Sequence, residues 1–138
     1  MQQPRHGRVI AIALAEAGVD VAVNHKENRS AADEVVGGDH EVPTARDHGA
    51  DTKQVDLLIR AIASRDGEVN ILVNCAAIAG HERLNDVDLT TFDEAINVKS
   101  RSAFLITAVE PAMPRDKLGR LIFISSMAAD AGGVVGTH

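Results

Sequence analysis

The sequence reads as a single α/β domain of 138 residues, organised on a doubly wound parallel sheet with helices on both faces. Three observations point there. Short apolar runs of strand length occur at residues 19–24, 69–74 and 120–125. Stretches with apolar residues at helical spacing lie between them. The alternation has the spacing of βαβ units of roughly 30 residues, and neither an internal repeat nor an interdomain linker interrupts it.

The elements follow in chain order. Residues 10–17, Ile-Ala-Ile-Ala-Leu-Ala-Glu-Ala, are strong helix formers stopped by Gly18, with Val9, Ile10, Ala13, Leu14 and Ala17 on one stripe. Val19-Asp-Val-Ala-Val-Asn24 is β-branched and reads as a strand. A second helix is expected over Asn28 to Val36, closed by Gly37-Gly38, and residues 39–51 read as a loop with at most a weak strand. Thr52 is a candidate cap for a helix that runs to Ser64 with Val55, Leu58, Ile59 and Ile62 on one face, and Asp66-Gly67 breaks it. Val69-Asn-Ile-Leu-Val-Asn74 and Arg120-Leu-Ile-Phe-Ile-Ser125 are nearly continuous apolar runs, as in parallel strands buried on both faces. Between them a loop through Gly80 to Leu89 leads to a long helix from Thr90 to Met113. That helix has Phe92, Ile96, Ala103, Ile106 and Val109 inward, and Pro111 and Pro114 end it. A glycine-rich tail, residues 131–136, follows the last strand.

Composition removes several function classes. With 14 Lys plus Arg against 20 Asp plus Glu, the formal charge of −6 would repel a phosphate backbone, and three Phe without Trp or Tyr offer few stacking platforms. No nucleic-acid partner is expected. No window approaches 18 uninterrupted apolar residues, so no membrane span is expected. A single cysteine, Cys75, cannot form an internal disulfide and fits a reducing, cytoplasmic compartment. His25, His40, His48 and His81 lie in separate polar segments without paired ligand spacing, so no metal site is expected. Cys75 itself reads as a small packed thiol.

In an open parallel sheet the ligand lies beyond the carboxyl ends of the strands. The positions to inspect are therefore Asn24-His25-Lys26, the segment around Asp47 to Asp51, Asn74-Cys75-Ala76-Ala77 and Ser125-Ser126. Small polar residues at adjacent strand ends let a dinucleotide lie close to backbone. In their order these segments resemble the short-chain dehydrogenase/reductase family. Val69-Asn-Ile-Leu-Val-Asn-Cys-Ala-Ala is similar to its strand followed by Asn-Asn-Ala-Gly, with Cys75 and Ala77 replacing the second Asn and the Gly. Phe92 through Phe104 resembles the helix that carries Val-Asn-Leu, and Gly119 to Ser126 the strand that ends in the catalytic serine. Ala11 to Asn24 is similar to the first helix and second strand of reductases that act on 3-oxoacyl thioesters.

The resemblance implies a Rossmann-like domain over 1–138, truncated at both ends, without the first strand and the late strands. It implies an NAD(P)-dependent oxidoreductase that moves hydride between nicotinamide and a carbonyl or alcohol of a small molecule. It assigns Ser126 to hydrogen-bond the substrate oxygen, and places Gly7, Asn24, His25, Lys26, Asn74 and Ala76 around the cofactor. Asn24-His25-Lys26 lacks the acid that would take a ribose 2′-hydroxyl, which favours NADP over NAD. An aspartate at the adenine side is expected at either Asp47 or Asp51.

Several family residues are missing. The family's tyrosine acid/base and its lysine partner have no counterpart, since the chain has no Tyr. Without gaps, Lys99 falls where the catalytic Asn is expected, with Asn97 two residues earlier. Lys99 reads equally as a stem packed on the sheet and as a surrogate cation. In the phosphate loop Met1 and Arg5 stand at the first two glycine positions and Gly7 at the third. Arg5 obstructs close approach of the pyrophosphate, although a guanidinium can itself bind phosphate. Cofactor binding is therefore expected to be impaired, and the chain alone inactive. The orphaned strand edges raise a second reading, a non-catalytic interaction module that pairs with another chain. A third is a gene fragment without function. A homo-oligomer paired through the Thr90–Met113 helix is left open.

Overall fold

A computed structural model describes residues 5–24, 52–78, 84–116 and 119–126. The helix expected at Asn28 to Val36, the segment at 39–51 and the tail at 131–136 lie outside those residues.

Helix α1 spans Arg5–Glu16. Its C-terminus follows from Gly18, which at φ +82° adopts a conformation that L side chains resist. Gly18 N–H donates to the Ala15 carbonyl at 2.9 Å and Val19 N–H to that of Leu14 at 3.1 Å, the paired bonds of a Schellman cap. Gly18→Ala is expected to lower unfolding stability by about 1–2 kcal/mol, read from urea denaturation. The helix starts five residues earlier than its apolar stretch suggests, and its covered face only partly follows the expected stripe, of which Ile10 and Leu14 are half-buried. Ala11 is buried, with Gly7 and Leu14 partly covered on the same face, whereas Val9 is 64% exposed and Ala13 and Ala17 are exposed. Gly7 on this face stands beside a remote neighbour, Cys75, which no local stripe announces.

Residues 19–24 form no strand, contrary to expectation. A β-branched run becomes a strand only when another backbone takes up its N–H and C=O groups. The described sheet has two strands, and neither pairs with this run.

Helix α2, Thr52–Asp66, begins at the predicted Thr52, and Val55, Leu58 and Ile59 are buried as the spacing requires. Gly67, at φ +84°, ends it and donates its N–H to the Ala63 carbonyl at 3.0 Å.

Strand β1, Ile71–Asn74, pairs in parallel with β2, Arg120–Phe123, in the register Ile71↔Arg120 through Asn74↔Phe123. Arg120 N–H to Asn70 O, 2.9 Å, and Ile124 N–H to Asn74 O, 3.0 Å, extend the ladder at both ends. Parallel pairing is as expected; burial is not. β1 is half-buried along its length, and Leu121 to Ile124 are each 37–45% exposed. Among the described residues β2 has one strand neighbour, β1.

The long helix is present in extent but not in uniform winding. After a 3₁₀ turn at Leu84–Asp86 come α3 (Leu89–Ile96), a π-turn (Asn97–Arg101), α4 (Ser102–Ile106) and a 3₁₀ segment (Thr107–Ala112). Pro111 sits inside this last segment, and the chain turns extended at Met113, before Pro114. The inward stripe is Ala95, Val98, Ser102 and Val109, whereas Phe92 and Ile96 face out, as does Phe104, 75% exposed. The observed stripe lies one residue ahead of the expected one, at Ala95, Val98 and Ser102 in place of Ile96, Lys99 and Ala103, while Val109 is buried as expected. The core is Val55, Ile59 and Val109, with Val69, Leu72, Leu105, Ile106, Ala112 and Met113 packed against it. It joins α2, β1 and the end of the long helix, and so positions the carboxyl end of β1. Among the described residues no helix is long and apolar enough to cross a membrane.

Candidate functional site

The carboxyl end of β1 meets the first turns of α1. A Cβ built on Gly7 would lie 3.8 Å from both Cβ and Sγ of Cys75, so the amino end of α1 stands beside the residue that follows β1. A helix amino terminus presents unpaired N–H groups and the positive end of its dipole, suited to a phosphate.

The turn after β1 is ordered by Asn74. Its Oδ1 accepts the Ala76 N–H at 3.2 Å, and its carbonyl accepts Ile124 N–H. Ala76 is exposed, and because its N–H is engaged, what it offers a ligand is its carbonyl. Ser126 lies three residues past the end of β2, the strand that pairs with β1, and is exposed. Gly7, Asn74, Ala76 and Ser126 therefore belong to elements that converge at one end of the sheet. Asn24 is exposed at the end of the run that forms no strand. His25, Lys26, Asp47 and Asp51 lie outside the described residues.

Lys99 is half-buried within the π-turn, next in helical spacing to buried Ala95 and Ser102. Ser102 closes that turn twice: its N–H donates to Asn97 O and its hydroxyl to Val98 O. π-turns occur often at functional sites. Nothing in the ungapped residue count points to one here.

Asp88 caps α3, accepting the Thr91 N–H on Oδ1 at 2.7 Å. That N–H and the Thr91 hydroxyl, with a smaller contribution from Thr90 N–H, hold the Asp88 carboxyl below its ordinary range. The carboxylate's support for α3 is complete above the unfolded value, about pH 4, and is lost as pH falls through the lowered folded value. Helical circular dichroism should show this loss in the wild type, and Asp88→Asn, which keeps the acceptor but cannot titrate, should remove that component. A depression lined by Val87, Asp88, Leu89 and Phe92 opens at the same helix end, and no residue predicted for the dinucleotide lines it.

The family model described as short chain dehydrogenase matches residues 6–138. The chain belongs to this family. Among curated short-chain dehydrogenase relatives, a 3-oxoacyl-[acyl-carrier-protein] reductase of Synechocystis is 31% identical over 131 residues, covering 91% of this chain and 53% of the relative. An L-rhamnose-1-dehydrogenase of Scheffersomyces stipitis is 27% identical over 96% of this chain and 55% of its own length. Among solved family structures, a short-chain dehydrogenase/reductase double mutant from Serratia marcescens superposes with TM-score 0.81 at 25% identity, over 94% of this chain and 54% of that one. A Burkholderia cenocepacia short-chain dehydrogenase in complex with NADP gives TM-score 0.79 at 26% identity, over 94% and 55%. The chain thus has the doubly wound fold of these enzymes and spans about half the length of the relatives it matches.

Proposed function

We propose that this chain carries the dinucleotide-binding part of an NADP(H)-dependent carbonyl reductase of the 3-oxoacyl-thioester type, and that the 138 residues alone have little or no reductase activity. The observation that carries the reading is the approach of Gly7, at the amino end of α1, to the turn after β1. There the helix amino terminus and the backbone at Gly7 suit the pyrophosphate, and the Ala76 carbonyl can accept from the ligand. These features support a dinucleotide on the phosphate side, where Arg5 would weaken its approach. When bound, the cofactor would supply or accept hydride at its nicotinamide ring. Ser126 would orient the substrate by donating its hydroxyl proton to the carbonyl oxygen. The chain lacks a phenol to deliver the proton that completes reduction, which is the reason for inactivity. His25 and Lys26 would favour the 2′-phosphate of NADP.

Fluorescence titration tests this directly. NADPH should bind saturably but weakly, and more tightly than NADH. Absence of saturable binding by either would reject the reading. Steady-state reduction of an acetoacetyl thioester by the 138-residue chain, lost in Ser126→Ala, would reject the expected inactivity.

One observation favours a second reading, an interaction module. The uncharged run Leu121 to Ile124 is exposed along its length, on a strand with a single neighbour among the described residues. Sedimentation showing a clean monomer at high concentration would count against it.

A further inference from the structure

We propose that the Lys99 ammonium binds an anionic group of the substrate, a carboxylate, at the carboxyl end of the sheet. That the anion belongs to a substrate rests on the reading above; the anion site itself does not. The height of Lys99 along the sheet follows from one bond: Val69 N–H donates to the Ala112 carbonyl at 3.0 Å, so the end of the long helix stands beside the start of β1. β1 and β2 are parallel, so the helix between them returns antiparallel to both. Back from Ala112 to Lys99 the helical winding rises roughly 20 Å. From Val69 to Asn74 the strand rises roughly 17 Å. Lys99 therefore stands level with the turn that follows Asn74.

At that level the lysine has no anion of its own. It is half-buried in the π-turn, beside buried Val98 and close to buried Ser102. Among the described residues no carboxylate pairs with it, and its helical neighbours Ala95, Ile96, Ser102 and Ala103 are uncharged. The carbonyls of Asn97 and Val98, which an ammonium in this turn could take, already accept from Ser102. The strand-end residues 74–78 and 124–126 carry no charge either. A half-covered cation without a counter-ion is stabilised by an anion that the ligand brings. A single ammonium is a point charge that matches the one charge of a carboxylate. A phosphate takes several donors, and the amino end of α1 offers those.

The amine itself reports on the site without reference to cofactor. Acylation of the wild-type chain by acetic anhydride is followed by mass, peptide by peptide, with Lys53, exposed in the first turn of α2, as the control. The probe is 3-hydroxybutyrate, an alcohol that cannot condense with an amine, set against its uncharged methyl ester and against inorganic phosphate. Saturating 3-hydroxybutyrate should slow acylation of Lys99 about fivefold and leave Lys53 unchanged, whereas the ester and phosphate should protect neither. By calorimetry, Lys99→Met should bind 3-hydroxybutyrate about tenfold more weakly than wild type, the weight of one charge-assisted hydrogen bond, and Lys99→Arg should stay within about threefold. Equal acylation of Lys99 with and without 3-hydroxybutyrate would overturn the proposal, as would protection by the ester or by phosphate to the same degree. Should Lys99→Met fail to fold, the protection measured on wild type still decides. If wild type binds no NADPH, the functional reading fails while the acylation rates still test the anion site; NADPH binding without protection of Lys99 sinks this inference alone.

Discussion

Val109→Asp should leave the chain with no cooperative unfolding transition. Val109, like Val55, is only 2% exposed, and the hydrophobic side chains packed with it are Val55, Ile59, Val69, Leu72, Leu105, Ile106, Ala112 and Met113. The apolar side chains of that cluster offer a carboxylate neither a cation nor a donor. Its neutral form still buries a hydroxyl and a carbonyl without partners, so either state costs several kcal/mol. Total stability of a domain this size is about 5–15 kcal/mol, and a core resting on few fully buried side chains belongs at the low end. Val109→Thr, nearly the same shape, should cost about 1–3 kcal/mol and keep a transition, which separates loss of packing from introduction of charge. Calorimetry on the two variants reads the difference. A sharp transition in Val109→Asp within a few degrees of wild type would mean that the cluster is not the core.

The second large effect is expected at Gly7, with opposite signs for stability and binding. Gly7 lies within α1, its φ is not positive, and a Cβ there would meet Cys75 at an ordinary 3.8 Å. The described fold gives no reason for a glycine, and alanine in a helix is favoured by as much as about 1 kcal/mol. Gly7→Ala should therefore raise the thermal midpoint by a few degrees. If the position is kept bare for a pyrophosphate that comes close to backbone, the same variant should weaken NADPH at least about tenfold. A midpoint that rises while NADPH affinity stays unchanged would remove Gly7 from the cofactor contacts.

Local pattern and long-range contact differ sharply in how legible they are. Most of the buried face of α2 is legible, because Val55, Leu58 and Ile59 follow one 3.6-residue period, while Ile62 of the same stripe is only half-buried. The parallel pairing of β1 and β2 was readable because apolar runs joined by a helix have few ways to meet. Residues 19–24 have the composition of a strand, but composition does not supply a partner. The exposure of β2 was missed for the same reason: Leu121 to Ile124 resemble an interior strand whatever stands beside them. Of the site, the positions of Asn74 and Ser126 at strand ends followed from topology alone. The approach of Gly7 to Cys75 and the tie from Asn74 to Ala76 did not. The first joins residues far apart in the chain, and the second is one of several local bonds an asparagine can make.

The π-turn at Asn97–Arg101 has a consequence for comparing this helix with any regular one. An i→i+5 turn takes up one residue more than an α-turn, yet Ala95, Ser102 and Val109 stand seven residues apart, two straight turns each, and all are buried. The equivalence of Lys99 with a residue in a straight helix is therefore a matter of backbone pairing as much as of count.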